Sequence, residues 1–262
     1  MFGAHGPRFW ELAEQALSST ERGYDLLAPK FDWTPFRTPD AILQGCQAYL
    51  AAGEAPRASI DLCCGTGVGL EMLARVTREE VVGVDFSRNM LEQARRRTQE
   101  SAKRARNAPH PQIRLIRADV MALGDHAELH GRFDCATCFG ALGHIREEEA
   151  VSFFSGVLEC LSPGGRLVLV TFDHPPPWHP AWLLSRAYNG LTHVRNYLVR
   201  PQFHMYYLTH TWPKLGSHLR AAGFDVSTPE QAFLAPFQST RLVVAKRPTA
   251  ASQSTNGASS PD

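Results

Sequence analysis

The most constraining feature of this sequence is a glycine-rich loop that directly follows a short apolar run. Residues 60–70 read IDLCCGTGVGL, with Gly65, Gly67 and Gly69 in the loop. Apolar residues continue beyond it at helical spacing, which predicts a strand, a tight turn and a helix, the opening unit of a doubly wound α/β fold. Glycine lets a ligand approach the backbone, because a Cβ would stand in the way. We therefore expect the loop to bind a nucleotide-like ligand.

An acidic residue lies at the end of the next predicted strand. Residues 81–84 form a second apolar run, and Asp85 follows it. At this point of a doubly wound fold a carboxylate can accept hydrogen bonds from ribose hydroxyls. Glycine clusters also occur in ordinary turns, so the loop alone is a weak signal. The loop and Asp85 together indicate a ligand that contains a nucleoside.

Five segments resemble the successive motifs of the class I S-adenosylmethionine-dependent methyltransferases. They read IDLCCGTGVGL, VVGVDFSRNML, IRADVMAL, FDCATCFGALGHI and LSPGGRLVLV, and they span residues 60–170. The N-terminal YDLLAPKFD is similar to the lead-in of the small-molecule branch, which includes ubiquinone and menaquinone biosynthesis enzymes. The resemblance implies a Rossmann-like α/β fold, with a doubly wound, mostly parallel seven-stranded sheet and a C-terminal antiparallel hairpin. Cys63 departs from the family, which usually has glycine there.

The resemblance implies S-adenosyl-L-methionine as the cofactor and an enzyme that transfers its methyl group. In the family, the acidic residue that Asp119 matches faces the adenine amino group. The first and fourth strands flank the topological switch point, so Gly65 and Phe139 should face one crevice. The expected cofactor-binding residues are Asp61, Cys63, Gly65, Gly67, Asp85, Phe86, Met90, Asp119, Val120, Phe139 and Gly140.

Length and composition predict one domain with a full core, since 44% of the 262 residues are hydrophobic. We expect an N-terminal helical cover over residues 1–56 and the methyltransferase domain over residues 57–247. Residues 173–213, rich in histidine and aromatic residues, interrupt that domain and predict a lid over the substrate, or else a partner interface. The small and polar residues 248–262 predict a disordered tail.

Local patterns predict the remaining elements. Helical spacing covers residues 8–27, Asp40 is expected to cap a helix to about residue 52, and Ser87 one to about residue 107. The cations late in that last helix suit a solvated face and the helix dipole, with an RNA-binding patch as the alternative. A further helix is expected to start at residues 147–149 and shows a core stripe, and the fifth strand is expected over residues 167–172. The stripe comprises Ala150, Phe154, Val157, Leu158 and Leu161.

Charge and cysteine usage narrow the partners and the compartment. A formal net charge of +1 gives no argument for nucleic acid or an anionic membrane, so we expect a small-molecule acceptor, no nucleic acid and no membrane. No leader-like or membrane-spanning stretch is evident, which predicts a soluble, cytoplasmic protein. Cys135 and Cys138 form a CxxC, but residues three apart in a strand point to opposite faces. We expect six free thiols and no metal site.

His144 is the best candidate for a general base, because it lies in the turn after the fourth strand and an imidazole titrates near neutral pH. The alternative is a structural histidine that bonds to backbone or caps the next helix. Trp178, Trp182 and Tyr188 are the expected walls of the acceptor site, which suits a small aromatic or apolar acceptor. The segment PPPW resembles a motif of base-methylating enzymes, but it follows the fifth strand instead of the fourth, so that reading is set aside.

Two other function classes remain open on the sequence. An NAD-dependent oxidoreductase would share the glycine loop, but its fingerprint requires glycine or alanine at the position of Leu70. A non-catalytic cofactor-binding module would carry the same motifs as an enzyme. The sequence does not show whether oxygen, nitrogen or carbon accepts the methyl group. It also leaves the oligomeric state open.

Overall fold

The apolar runs of the chain lie side by side in one seven-stranded sheet. The computed structural model describes residues 6–104, 110–230 and 233–249. The strands are β1 (Ala58–Leu62), β2 (Glu80–Asp85), β3 (Gln112–Arg117), β4 (Phe133–Thr137), β5 (Leu161–Phe172), β6 (Asp225–Ser227) and β7 (Thr240–Lys246). Their order across the sheet is β3-β2-β1-β4-β5-β7-β6, with only β7 antiparallel to its neighbours. The predicted fold class is confirmed.

Helices cover both faces of this sheet. They are α1 (Phe9–Leu17), α2 (Thr20–Leu27), α3 (Asp40–Ala51), α4 (Val68–Ala74), α5 (Arg88–Arg104), α6 (Ala150–Cys160), α7 (Pro180–Leu198) and α8 (Lys214–Ala221). One buried cluster contains side chains of α3, α4 and α5, and the other contains side chains of α6 and α8. Cys135 lies in the first cluster and Cys138 in the second, so the CxxC points to both faces as predicted. All six cysteines are free.

Several predicted boundaries are corrected by local chemistry. The helical pattern over residues 8–27 is two helices, because Ser19 caps α2 by accepting a hydrogen bond from the Arg22 amide at 3.1 Å. Pro39, and not Asp40, is the cap residue of α3. Ser87 does cap α5, through the Met90 amide at 3.1 Å. The predicted end of that helix near residue 107 lies outside the described residues, as does residue 250 onward of the predicted tail.

Two further differences concern the second half of the chain. β5 begins at Leu161 instead of residue 167, because Leu161 already pairs with Phe133 across a register irregularity. The segment 173–213 contains a 19-residue helix, α7, that no apolar periodicity toward the core predicts. Within the described ranges, no helix has both the length and the apolar character needed to cross a bilayer.

The core stripe of α6 gives a stability test. Phe153 was absent from the predicted stripe, yet it is 1% exposed and lies beside Phe154 with ring centroids 5.1 Å apart. Phe153→Ala should lower the free energy of unfolding by about 3–5 kcal/mol, because it leaves a cavity in a packed core. Val151→Ala on the same helix is the control. Because the Val151 side chain is 37% exposed, this substitution should lower the free energy of unfolding by less than about 1 kcal/mol. Urea unfolding followed by circular dichroism measures both, and equal losses would contradict the assigned packing.

Candidate functional site

The loops at the carboxyl ends of β1, β2 and β4 enclose a cavity of about 400 Å³. This is the edge where open α/β sheets bind ligands. Most of its wall is apolar or aromatic, and its lining holds two aspartates but no arginine or lysine. The predicted site residues that line it are Asp61, Cys63, Gly65, Asp85, Phe86, Met90, Phe139, Gly140 and His144. Gly65 and Phe139 therefore face the same crevice, as expected.

Three residues expected to contact the cofactor lie outside this lining. Gly67 is the N-cap of α4 with a φ of 89°, and a Cβ there would meet the Ala94 backbone at 3.1 Å. Asp119 caps the 3₁₀ helix Val120–Asp125 by accepting a hydrogen bond from the Met121 amide at 2.9 Å. Val120 is buried in the hydrophobic core. Gly67 thus allows a close approach of α5, and the contacts of all three residues with the cofactor stay predictions.

The three expected lid walls also lie away from the cavity. Trp178 is 80% exposed, and Trp182 lines a separate, polar pocket beside α7. The Tyr188 ring contacts the Tyr207 ring, with centroids 4.9 Å apart. The segment 173–213 instead supplies Met205 and Tyr207 to the cavity wall. The N-terminal segment supplies Tyr24, Phe31, Pro35, Phe36 and Thr38.

Asp85 ends β2 with its carboxylate at the cavity wall. Its Oδ2 accepts a hydrogen bond from the Gly65 amide at 2.9 Å, and its Oδ1 accepts one from the Ser87 amide at 2.9 Å. Burial raises the pKa of this carboxyl to about 6, although both amide bonds act to lower it. An ionised carboxylate has about four acceptor positions, so two remain for the hydroxyls of a ligand.

Asp61 is the second acid of the cavity. It is the penultimate residue of β1, and its Oδ1 accepts a hydrogen bond from the Thr137 hydroxyl at 2.7 Å. Burial raises its pKa to about 7, against the lowering effect of that bond. A Cβ on Gly69 would stand 2.3 Å from the Asp61 Oδ2. The glycine at position 69 is therefore required by the aspartate behind it.

Part of the glycine loop takes the left-handed backbone conformation. Gly65 has a φ of 51°, and a Cβ built on it meets nothing within 4 Å, because that space belongs to the cavity. Cys63 has a φ of 54° without being glycine. Its thiol bonds with that of Cys138 and its pKa is raised well above the ordinary value, first by that hydrogen bond and then by burial. The family's usual glycine is thus replaced by a residue that holds the same strained backbone.

The YDLLAPKFD segment fastens the N-terminal region to both ligand loops. Asp25 accepts hydrogen bonds from the Ser87 hydroxyl at 2.6 Å and the Asn89 amide at 3.0 Å, at the start of α5. Asp32 accepts one from the Thr66 hydroxyl at 2.7 Å and pairs with Arg97. Arg97 also donates to the Thr66 carbonyl at 2.9 Å. Between these two anchors the chain passes over the cavity.

Tyr24 and His144 form the titratable pair on the cavity wall. The Nδ1 of His144 bonds to the His204 carbonyl, which only accepts, so this nitrogen carries the proton. In a neutral imidazole the Nε2 is then an acceptor, and it receives the Tyr24 hydroxyl at 2.7 Å. Burial lowers the pKa of His144 and, on the other partner, raises the pKa of Tyr24. Both groups are therefore neutral at neutral pH, with a directed hydrogen bond between them.

The residues present fit the expected cofactor. A nucleoside needs acceptors for its ribose hydroxyls, and the Asp85 carboxylate has free acceptor positions at the cavity wall. It also needs backbone without side chains, and the space beside Gly65 is one that a Cβ would fill. The two buried acids with no cation in the lining suit a positively charged ligand.

The sequence indicated only some of the other residues at the site. The segment YDLLAPKFD, which contains Tyr24, Asp25 and Asp32, resembles the family's lead-in, so a position near the site could be expected for it. Nothing in the sequence indicated Met205 and Tyr207, because they reach the cavity through the fold of the lid segment. The Asn189 side chain holds the lid segment in place at Tyr207. Its amide donates to the Tyr207 carbonyl and accepts from the Tyr207 backbone amide, both at 2.9 Å.

Cys63 provides a test of the loop geometry. Cys63→Gly should keep the affinity for S-adenosylhomocysteine within about threefold of the unchanged protein, because glycine adopts the left-handed conformation without strain. Cys63→Val should lower the free energy of unfolding by about 1–3 kcal/mol, since a β-branched residue is most disfavoured there. Calorimetric titration and thermal unfolding measure these effects. A valine variant as stable as the glycine variant would show that the loop is not strained at this residue.

Comparison with known proteins adds independent findings. Residues 60–165 match a family described as "Methyltransferase domain". Demethylmenaquinone methyltransferase of Thermus thermophilus is 37% identical over 141 residues, 53% of this chain and 57% of that protein. The 2-phytyl-1,4-naphtoquinone methyltransferase of Nostoc punctiforme is 31% identical over 127 residues, 48% of this chain and 50% of that protein. The chain thus spans about half the length of these curated relatives.

A solved structure shows the same fold. Magnesium protoporphyrin IX methyltransferase from Synechocystis PCC 6803 with bound SAH superposes with a TM-score of 0.53. It covers 79% of this chain and 82% of its own at 22% identity. At that identity the likeness concerns the arrangement of strands and helices alone.

Proposed function

We propose that the chain is a class I S-adenosylmethionine-dependent methyltransferase, which methylates a small, flat, largely apolar acceptor inside the cavity described above. The observation that carries the proposal is the composition of the cavity wall. The glycine loop and Asp85 line it together with many aromatic and apolar side chains and the Tyr24–His144 pair. Such a cavity holds a polar cofactor against an apolar acceptor.

The chemistry of the reaction resides in the cofactor. When bound, S-adenosylmethionine supplies an electrophilic methyl carbon on a positively charged sulfur, which leaves as a neutral thioether. The protein would orient the reactants and exclude water: Asp85 and the Gly65 backbone would hold the nucleoside, and the apolar side chains of Phe31, Phe36 and Met205 also line the cavity. Holding two reactants in a near-attack geometry can supply on the order of 7–11 kcal/mol of the barrier reduction.

Tyr24 and His144 would accept the proton of a hydroxyl acceptor. The acceptor hydroxyl donates to the Tyr24 oxygen, while the Tyr24 proton moves to the Nε2 of His144 along the 2.7 Å hydrogen bond. The His204 carbonyl stabilises the resulting imidazolium through Nδ1–H. The lowered pKa of His144 keeps the imidazole neutral, and so able to accept, at neutral pH. His144 therefore acts as the base through the tyrosine.

The size and chemistry of the cavity favour a ring-shaped acceptor. About 400 Å³ must hold both the cofactor and the reacting part of the acceptor, which favours a small, flat group. Two relatives are named as methyltransferases of demethylmenaquinone and of a 2-phytyl-1,4-naphtoquinone. We propose an aromatic or quinone-like ring bearing an ionisable hydroxyl, with Tyr207 and Phe139 at its edges.

The cofactor assignment is tested by Asp85→Asn. The substitution keeps the shape but removes a charged acceptor, so the affinity for S-adenosylhomocysteine should fall by about tenfold to a hundredfold. Hydroxyls bind the ionised carboxylate, and the pKa of Asp85 is about 6. The affinity of the unchanged protein should therefore rise between about pH 5 and about pH 7, and the variant should lose this part of the rise.

Calorimetric titration measures that affinity. Asp125→Asn makes the same chemical change on an exposed residue and should bind like the unchanged protein. If Asp85→Asn also binds within about threefold of it, Asp85 does not hold the nucleoside.

The proton relay is tested by Tyr24→Phe and His144→Ala. Each should lower single-turnover methyl transfer to aromatic hydroxyl acceptors by about a hundredfold or more, while cofactor affinity stays nearly unchanged. The double variant should be no slower than the slower single variant, because the two residues act as a unit.

Radiolabelled methyl donor and a panel of naphthols and hydroxyquinones give the readout. Full activity of Tyr24→Phe would remove the relay from the mechanism. Tight cofactor binding without transfer to any acceptor would instead favour a non-catalytic binding module.

A further inference from the structure

The helix α7 has its polar side toward the protein and its apolar side toward solvent. Thr192 and Asn196 are 7% and 6% exposed. The Asn196 amide donates to the Phe203 carbonyl at 3.0 Å and accepts from the Phe203 amide at 2.9 Å. Asn189, on the same side, holds the backbone of Tyr207. Hydrogen bonds of these asparagines, together with the ring contact between Tyr188 and Tyr207, therefore attach α7 to the rest of the molecule.

The opposite side of α7 is a broad apolar surface. At about 3.6 residues per turn, its large apolar side chains fall on the half of the helix opposite Thr192 and Asn196. Each of them is more than half exposed: Leu183, Leu184, Leu191, Val194, Tyr197 and Leu198. We call these six side chains the outer face. A surface helix ordinarily turns such residues inward, so an exposed face of this kind indicates a binding surface.

Two more exposed apolar side chains lie near the ends of α7. Arg195 donates to the Ala16 carbonyl at 2.8 Å and the Ser18 carbonyl at 2.7 Å, which brings the end of α1 against α7. Leu17, between these two residues, is 59% exposed. Trp178, just before the other end of α7, is 80% exposed.

Charge identifies what covers this surface. The whole chain is nearly balanced, with 27 lysines and arginines against 26 aspartates and glutamates. Residues 174–213 contain no aspartate or glutamate, and their charged residues are Arg186, Arg195 and Arg200. Arg186 and Arg200 are exposed. An apolar face bordered by cations, with tryptophan and tyrosine near its ends, is the pattern of a helix that lies in the interface of an anionic membrane.

We propose that the outer face of α7 binds an anionic membrane surface, with the helix parallel to the bilayer plane. A second copy of the chain fits less well. A helix pair buries a narrow seam such as Leu184, Leu191 and Leu198, which leaves Tyr197 and Leu183 in water. It would also bring arginines together in a segment without acids.

Membrane binding would bring the cavity within one helix of the bilayer. Asn189 and Tyr188, on the inner side of α7, contact Tyr207, which lines the cavity. If the proposed function holds, the membrane would also concentrate apolar acceptors near the enzyme. The membrane test below uses neither acceptor nor cofactor, so its result stands apart from that of methyl transfer.

The test is co-sedimentation of the full chain with vesicles. Unchanged protein should bind vesicles of equal parts phosphatidylcholine and phosphatidylglycerol, bind pure phosphatidylcholine more weakly, and be partly released by salt. Leu184→Gln/Leu191→Gln/Leu198→Gln should lower the affinity for the anionic vesicles by about a hundredfold or more, because three apolar side chains are lost. Arg186→Gln/Arg200→Gln should lower it by about tenfold or more and remove much of the salt dependence.

Val151→Gln/Leu234→Gln is the matched control, since it replaces exposed apolar residues elsewhere, and it should bind like the unchanged protein. All substituted side chains are exposed, and circular dichroism verifies that each variant is folded. The proposal is overturned if the unchanged protein does not sediment with anionic vesicles at low salt. It is also overturned if the leucine variant binds these vesicles as tightly as the unchanged protein. Sedimentation velocity gives a third outcome: a dimer that becomes monomeric in the leucine variant would assign the outer face to a second copy.

Discussion

The carboxylate of Asp85 is the point on which the geometry of the site depends. A buried carboxylate is costly unless it is hydrogen-bonded, and here the amides of Gly65 and Ser87 supply the bonds. These amides belong to two different loops, one after β1 and one after β2. One side chain therefore sets the distance between the glycine loop and the start of α5. Because Ser87 also caps α5, the same contact fixes the direction in which that helix leaves the site.

The N-terminal segment depends on the same two loops. Asp25 bonds at the start of α5, and Asp32 bonds to Thr66 and Arg97 beside the glycine loop. These anchors hold Tyr24 over the cavity, where its hydroxyl meets His144. The candidate catalytic pair thus joins two parts of the chain that are 120 residues apart. Its geometry therefore depends on the positions of both loops.

Much of this could be predicted because it rests on local chemistry. Strand, glycine loop and acid at a strand end are short-range patterns, and they were sufficient for the fold class and for most residues around Asp85. The lid was not predictable in the same way. Helix prediction assumes that apolar residues face the core, whereas α7 presents Asn196 to the core and Leu191 to solvent. The near-zero net charge likewise concealed a 40-residue stretch without acids, since the acids lie elsewhere in the chain. Met205 and Tyr207 reach the cavity only through that helix.

The two acids in a cavity without lysine or arginine have a consequence for turnover. Asp61 and Asp85 give the pocket a negative potential once both are ionised, and burial leaves that potential poorly screened. Of two ligands with the same shape, the pocket then prefers the one that carries a positive charge. In the proposed reaction the methyl donor is a sulfonium and the spent cofactor is a neutral thioether, so this preference favours the donor over the product. The same electrostatics would then limit inhibition by the spent cofactor.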